Sequence, residues 1–373
     1  MNGGGIRVGR IFGIPIVVDT SWLVIFFLIV FSFWVDLVNA RALGLVAPIG
    51  DVAQWSVALL GAVLFFGSVL IHELSHSVVA VRRGTRVRRI RLFIFGGVSE
   101  IETEAANPQD EFAITIAGPA SSVVLGGVFL GVAALVGDGT VFDRLSSGLG
   151  VLNLLLGGFN LLPGLPLDGG RVLRSIVWRT TGDYRRATQI AGNGGRIVAG
   201  LMIAVGVLSV FFRGTFRQVW WIVLGWFLFQ AAGAALAQLT VKEGLSGVVA
   251  AQVMTRTPIA VDGDLTLQRV FDDHFMANNV SEFPVLQEGR VRGMISLEQL
   301  GDVPRNKWNE VRVSDAMQVL QPEDAVGAGT PAEEILTKLS GTGQRVVVVE
   351  DGRLVGVVTA SDITRWIERQ SSP

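Results

Sequence analysis

The chain contains no cysteine, so disulfides and thiolate metal sites are excluded, and any metal must be held by His, Asp or Glu. Histidine is nearly as scarce, with His72, His76 and His274 the three present. Charge is short as well. Only 17% of residues are Asp, Glu, Lys or Arg, and 31 basic against 32 acidic side chains leave a formal net charge of −1. That balance offers no electrostatic basis for holding nucleic acid. In their place stand apolar side chains, 50% of the 373 residues, too many for an ordinary soluble enzyme.

The average hides a division. Residues 1 to about 240 carry nearly all the long apolar runs, and the remainder reads as soluble. A helix that spans a bilayer takes about 20 mostly apolar residues. Six stretches approach that, roughly 16–38, 53–80, 112–136, 147–163 continuing toward 178, 188–212 and 217–238. The fourth is the most interrupted, carrying Asn160, Pro163, Pro166 and Asp168. A bilayer tolerates such breaks where the freed backbone groups line a polar site or meet neighbouring helices.

Arginine placement orients the spans. Arg82, Arg83, Arg86, Arg88, Arg89 and Arg91 follow the second stretch, and Arg171, Arg174, Arg179, Arg185 and Arg186 follow the fourth. The connections after the first and third are poor in positive charge. Both termini are therefore expected on the cytosolic side, with Arg213 and Arg217 discordant. The basic start, Arg7 and Arg10, precedes a long apolar run without a small-residue cleavage site, the pattern of a retained anchor and not a signal peptide. Residues 87–101 alternate, break at Gly96-Gly97 and resume, which predicts a β-hairpin or re-entrant strand pair near the cytosolic surface. Such a pair is either a connector or an exposed edge on which an unwound substrate segment pairs.

Within the second stretch lies His72-Glu73-Leu74-Ser75-His76. On a helix this spacing sets two imidazoles one turn apart on one face, able to hold zinc, with a carboxylate beside them able to take a proton from water. Ionisable side chains inside an apolar segment are costly, which makes them functional candidates. A catalytic zinc takes three protein ligands, and Asp168 is the expected third, lying like the histidines toward the cytosolic end of its stretch. The alternatives are a buried histidine pair bonded to carbonyls, a helix-end role for Asp168, and for Glu73 a hydrogen bond to a ligating histidine. Asn160 either acts in catalysis or satisfies backbone freed by the broken helix.

His72-Glu73-xx-His76 followed by Asn160-xx-Pro163-x-Pro166-x-Asp168-Gly169 resembles the site-2 protease family of intramembrane zinc metalloproteases, a resemblance that takes in Gly96-Gly97 and Gly118-Pro119. It implies that His72, His76 and Asp168 bind one zinc ion, that Glu73 is the base and that Asn160 helps position substrate or the oxyanion. It also implies a single-span membrane protein as substrate, such as an anti-sigma factor, and the cell (inner) membrane as location. No inserted PDZ-like module is evident.

From about 249 onward the chain repeats itself. Val253-Met254 is answered by Ala316-Met317, and Gly289–Ser296 by Gly352–Thr359, both at an offset of 63. These repeats resemble a tandem of cystathionine-β-synthase-type (CBS) domains. The resemblance implies an adenine nucleotide (ATP, ADP or AMP) contacted by Thr359 and Asp362, or a pair that only dimerises or docks substrate, with those two residues capping a helix. The first repeat has Gln299 where the acid would stand, so one nucleotide site is expected. His274 is expected to have no catalytic part.

The expected fold is thus a polytopic α-helical membrane protein, with about six transmembrane helices and a membrane-associated β-hairpin, followed by a soluble α/β CBS pair. The expected domains are a transmembrane zinc metalloprotease over 1–245 and CBS repeats over 249–308 and 311–370. The competing class is a nucleotide-gated channel or transporter. It predicts polar residues lining a path through several spans, whereas here they gather at one depth.

Overall fold

A two-residue turn begins the fold. Phe12 (φ 51°) and Gly13 (φ 80°) both take positive φ, the hand that matches strand twist, and join β1 (Gly5–Ile11) to β2 (Ile14–Asp19) as an antiparallel hairpin. In this computed structural model the described residues are 5–94, 96–101, 105–213, 219–278, 280–321, 324–342 and 345–371. They fall into two compact units, Met1–Ala237 and Gln238–Pro373.

In the first unit β2 pairs in parallel with β3 (Val87–Phe93), which pairs antiparallel with β4 (Gly96–Ile101), giving the order β1-β2-β3-β4. The strand pair expected over 87–101 is therefore half of a four-stranded sheet, and among the described residues β4 is an edge of it. Residues 16–19, expected inside the first span, are strand instead. Ile16, Val17 and Val18 are β-branched, and a short apolar run of that kind serves a buried strand as well as a helix. The Arg91 guanidinium, bonded to the Asp19 side chain, holds that carboxyl well below the usual carboxylate range.

Seven helices follow in this unit or across its end: α1 (Trp22–Ala42), α2 (Asp51–Arg82), α3 (Pro108–Val136), α4 (Val141–Asn160), α5 (Asp168–Thr181), α6 (Tyr184–Arg213) and α7 (Val219–Leu245). Five of them, α1, α2, α3, α6 and α7, are long and apolar enough to cross a membrane. The fourth expected stretch divides into α4 and α5, because Pro163 and Pro166 have no N–H to continue a helix. With Asp143, Arg144, Asn153 and Asn160, α4 does not join those five by hydropathy. Arg217 and the side chain of Arg213 lie outside the described residues.

Burial in this unit runs opposite to a soluble protein's. Leu135 is 88% exposed and Phe211 81%, while Ser77, Thr115, Ser122 and Asn153 are fully buried. An apolar exterior around a polar interior suits a hydrocarbon solvent, where buried polar groups bond across helices. Asn153 of α4 does so, donating to Ser68 Oγ of α2 at 3.3 Å.

The second unit holds two sheets. One comprises β5 (Val261–Asp262), β6 (Glu282–Gln287), β7 (Arg290–Ser296) and β8 (Gln318–Val319), and the other β9 (Ala325–Val326), β10 (Arg345–Glu350) and β11 (Arg353–Thr359). Helices α8 (Ala250–Val253), α9 (Leu267–Val270), α10 (Leu297–Gly301), α11 (Val313–Ala316), α12 (Ala332–Thr342) and α13 (Ala360–Ser371) accompany them. The repeats exchange their leading segments. Val253 is buried with Val346, Val348 and Val358 of the second repeat, while Val313 is buried with Phe283, Val285 and Ile295 of the first.

Candidate metal centre

Three helices converge on the HExxH residues. From α2, His72 and His76 are 3% and 5% exposed, and each Nε2 lies 3.2 Å from the same oxygen, Oδ2 of Asp168, the first residue of α5. The ligand atoms of the three residues all fall within 4.8 Å of one another. The remaining ring nitrogens face α3: His72 Nδ1 lies 2.9 Å from Ser122 Oγ, and His76 Nδ1 lies 2.7 Å from the Ile114 carbonyl oxygen.

These contacts test whether a metal fits. A carbonyl oxygen only accepts, so His76 Nδ1 carries the hydrogen, and Nε2, on the side of Asp168, is the nitrogen left to ligate a metal when the ring is neutral. Both Nε2 atoms stand 3.2 Å from one carboxylate oxygen, a spacing that a shared cation satisfies, whether a proton or a metal ion. Two imidazoles, each anchored through its other nitrogen, and one carboxylate are the donor types that a catalytic zinc takes. Gly118 leaves the space for it, since a Cβ there would strike both His76 Nε2 and His72 Nε2.

Glu73 is half-buried on the side facing the sheet. Its Oε2 accepts a hydrogen bond from Ser99 Oγ of β4 at 2.9 Å. Gly97 makes this approach possible, because a Cβ on it would stand 3.0 Å from the Glu73 carboxyl carbon. The carboxylate thus sits against the sheet's β4 edge. Asn160 donates from Nδ2 to the Leu156 carbonyl at 3.0 Å, a bond within its own helix.

The rest of the setting was not foreseen. Along α3, Glu111, Thr115, Gly118 and Ser122 recur at helical spacing and form one buried stripe facing α2 and α5. The signal was present as polar and small residues at i, i+4, i+7 and i+11 of an apolar span. The turn between α4 and α5 brings its backbone directly onto α6 at Leu165, with Leu167 packed beside it among Ala199, Met202 and Leu228. Leu165 N donates to the Ala191 carbonyl at 3.0 Å, and a Cβ on Gly195 would strike the Leu165 carbonyl.

In the second unit a cavity of about 780 Å³ is lined by Thr255, Ile259, Phe283, Arg345, Thr359 and Asp362 among others. Asp362 Oδ2 accepts from Thr359 N at 2.9 Å and Oγ1 at 2.6 Å, and Thr359 Oγ1 accepts from Asp362 N at 3.2 Å. This reciprocal box opens α13. Ser296 and Gln299 make the same box at the start of α10, so Gln299 keeps the capping part of the missing acid and loses its charge. His274 packs edge-on to Phe283, its ring 5.8 Å away.

Fold and site together define a polytopic membrane chain of the metallopeptidase class, followed by a second α/β unit built from two repeats. The sequence model of Peptidase family M50 matches residues 60–148 and 139–204, and that of the CBS domain matches 249–301 and 313–369. The Rip3 protein of Mycobacterium tuberculosis is 35% identical over 369 residues, 97% of this chain and 93% of its own. A zinc metalloprotease of Methanocaldococcus jannaschii is 32% identical over 360 residues, covering 96% and 95%. Among solved structures, the site-2 protease from M. jannaschii is 31% identical, covering 62% of this chain and 95% of its own at a TM-score of 0.43. The chain belongs to the M50 family of zinc metalloproteases, the site-2 proteases, and carries a tandem pair of CBS domains.

Proposed function

We propose that the chain hydrolyses a peptide bond within or beside the transmembrane helix of a single-span membrane protein, such as an anti-sigma factor. The observation that carries this reading is the meeting of His72, His76 and Asp168 at one point, with the Glu73 carboxylate turned to the sheet edge beside them. A zinc ion held by those three residues would supply an activated water and polarise the scissile carbonyl. Glu73 takes the proton from the attacking water as the new C–O bond forms, and then delivers it to the leaving amine as the peptide C–N bond breaks. Ser99 orients the carboxylate for both transfers, and Asn160 positions the substrate carbonyl.

Transmembrane helices hide their carbonyls in internal hydrogen bonds, so the substrate must unwind locally before cleavage. Among the described residues β4 ends its sheet, and that edge offers an extended segment a strand to pair with, next to the base. Substrates with Gly, Pro, Asn or Ser near the cleaved bond are therefore favoured. Replacing those residues with leucine is expected to slow cleavage by roughly tenfold or more, given the roughly 1 kcal/mol that separates glycine from good helix formers at each position. Gel-resolved product formation by the reconstituted enzyme measures this, and equal rates for both substrates would count against the unwinding step.

The arginines after α2 and α5 favour both termini on the cytosolic side, a topology in which α4 crosses as a sixth span beside the five apolar helices. The functional domains run over 1–245, 249–308 and 311–370. In the CBS pair an adenine nucleotide would sit in the Thr359–Asp362 cavity and modulate cleavage, and the pair would also serve a homodimer. The deciding experiment is cleavage of a membrane-anchored substrate in proteoliposomes by wild type and by Glu73→Ala. Equal cleavage by the two would sink the assignment.

Ser122 anchors His72, and outer hydrogen-bond partners of ligating histidines typically carry about 10–100-fold in metal affinity or activity. Ser122→Ala is expected to lose that much zinc affinity, measured by competition with a chromophoric chelator.

A further inference from the structure

Glu111 is 1% exposed at the start of α3, and Arg174 of α5 donates to its Oε1 through both Nε and Nη2, the first at 2.8 Å. Arg171 Nε lies 3.9 Å from the same oxygen, while Oε2 is buried without a partner. The other side of Arg174 is closed by Tyr184 of α6, whose ring centre lies 5.0 Å from the guanidinium carbon and meets Trp178 edge-on. A buried ion pair with one carboxylate oxygen unsatisfied is a poor means of holding helices together, because desolvation offsets most of the attraction. Its location accounts for it better.

The same helix, α3, supplies both anchors of the histidines: the Ser122 hydroxyl for His72 and the Ile114 carbonyl for His76. Glu111 is one turn from Ile114. Among the described residues Asp168, on α5, has no such anchor on α3, and the turn ahead of it meets α6 through the Leu165 backbone, Gly195 and the Leu167 side chain. The ion pair is the charged link from α3 to α5. We propose that Glu111 and Arg174 are positioning residues, which set Asp168 against the two histidines by referring all three ligands to one helix.

The inference rests on the zinc-protease reading, and the experiment separates the two. Zinc affinity of the full-length, detergent-solubilised chain is measured by chelator competition for wild type, Glu111→Gln, Arg174→Lys and, as reference, Asp168→Ala. Both pair variants are expected to bind zinc about 10–100-fold more weakly, with kcat reduced at saturating zinc and KM for substrate unchanged. Lysine keeps the charge but not the planar pair of donors that meets one oxygen from a fixed direction. Wild-type affinity and kcat in both pair variants, with Asp168→Ala impaired, would overturn the positioning role. Wild-type affinity in Asp168→Ala would overturn the metal assignment itself. If Arg174→Lys does not fold, Arg174→Gln keeps an amide donor in its place, and the same two readings decide.

Discussion

Replacing Glu73 with Gln is expected to lower cleavage by about 10²–10⁴-fold while zinc content stays at the wild-type level. The amide keeps the size of the carboxylate and can still meet Ser99, so the local packing is retained. What it loses is the ability to take a proton from water and return it to the leaving nitrogen. Glu73 is not among the three side chains whose ligand atoms converge, which is why metal content and catalysis should separate. Metal analysis and single-turnover cleavage on one preparation decide the matter. If zinc is lost along with activity, Glu73 is a ligand or holds one.

Asp168→Ala is expected to act on the metal first. Removing this side chain takes away the one anionic donor and leaves two neutral imidazoles, so zinc affinity should fall by more than the roughly 100-fold that marks the loss of an outer partner. Activity should then follow zinc occupancy. Because Asp168 is also the first residue of α5, where a negative charge favours the helix end, Asp168→Asn is the control for local folding. Asparagine keeps an oxygen at the position, so it should retain α5 and still bind zinc weakly. Retention of full zinc affinity by both variants would remove Asp168 from the ligand set.

The legible part of this site was short-range or scarce. His72, Glu73 and His76 are read from one helical turn, and Asp168 from the absence of cysteine, the shortage of histidine and its place in a broken span. Asp168 lies 96 residues from His72, yet the two side chains are 3.2 Å apart. The role of α3 was not legible, although its polar stripe was in plain view, because nothing local says which neighbour a helix face will meet. The start of the first span was misplaced for a different reason. Ile16–Val18 is apolar and β-branched, and only pairing with β3 separates a strand from the beginning of a membrane helix. In the CBS pair the 63-residue offset marked two repeats, but a repeat in sequence does not say whose sheet its leading segment joins. Met254 packs against Gly356 and Met317 against Gly293, so each repeat is completed by the other.

By itself the sequence determined that this is a membrane chain with a His-Glu-His turn, a break rich in proline before an acid, and a duplicated α/β tail. These follow from hydropathy and periodicity, which act within a few residues. The tertiary structure alone decided that β4 is an edge beside Glu73, that Ser122 and Ile114 hold the two rings, and that a buried Glu111–Arg174 pair ties α5 to the same helix. Those relations depend on contacts between segments far apart in the chain, formed where polar groups excluded from hydrocarbon must find one another.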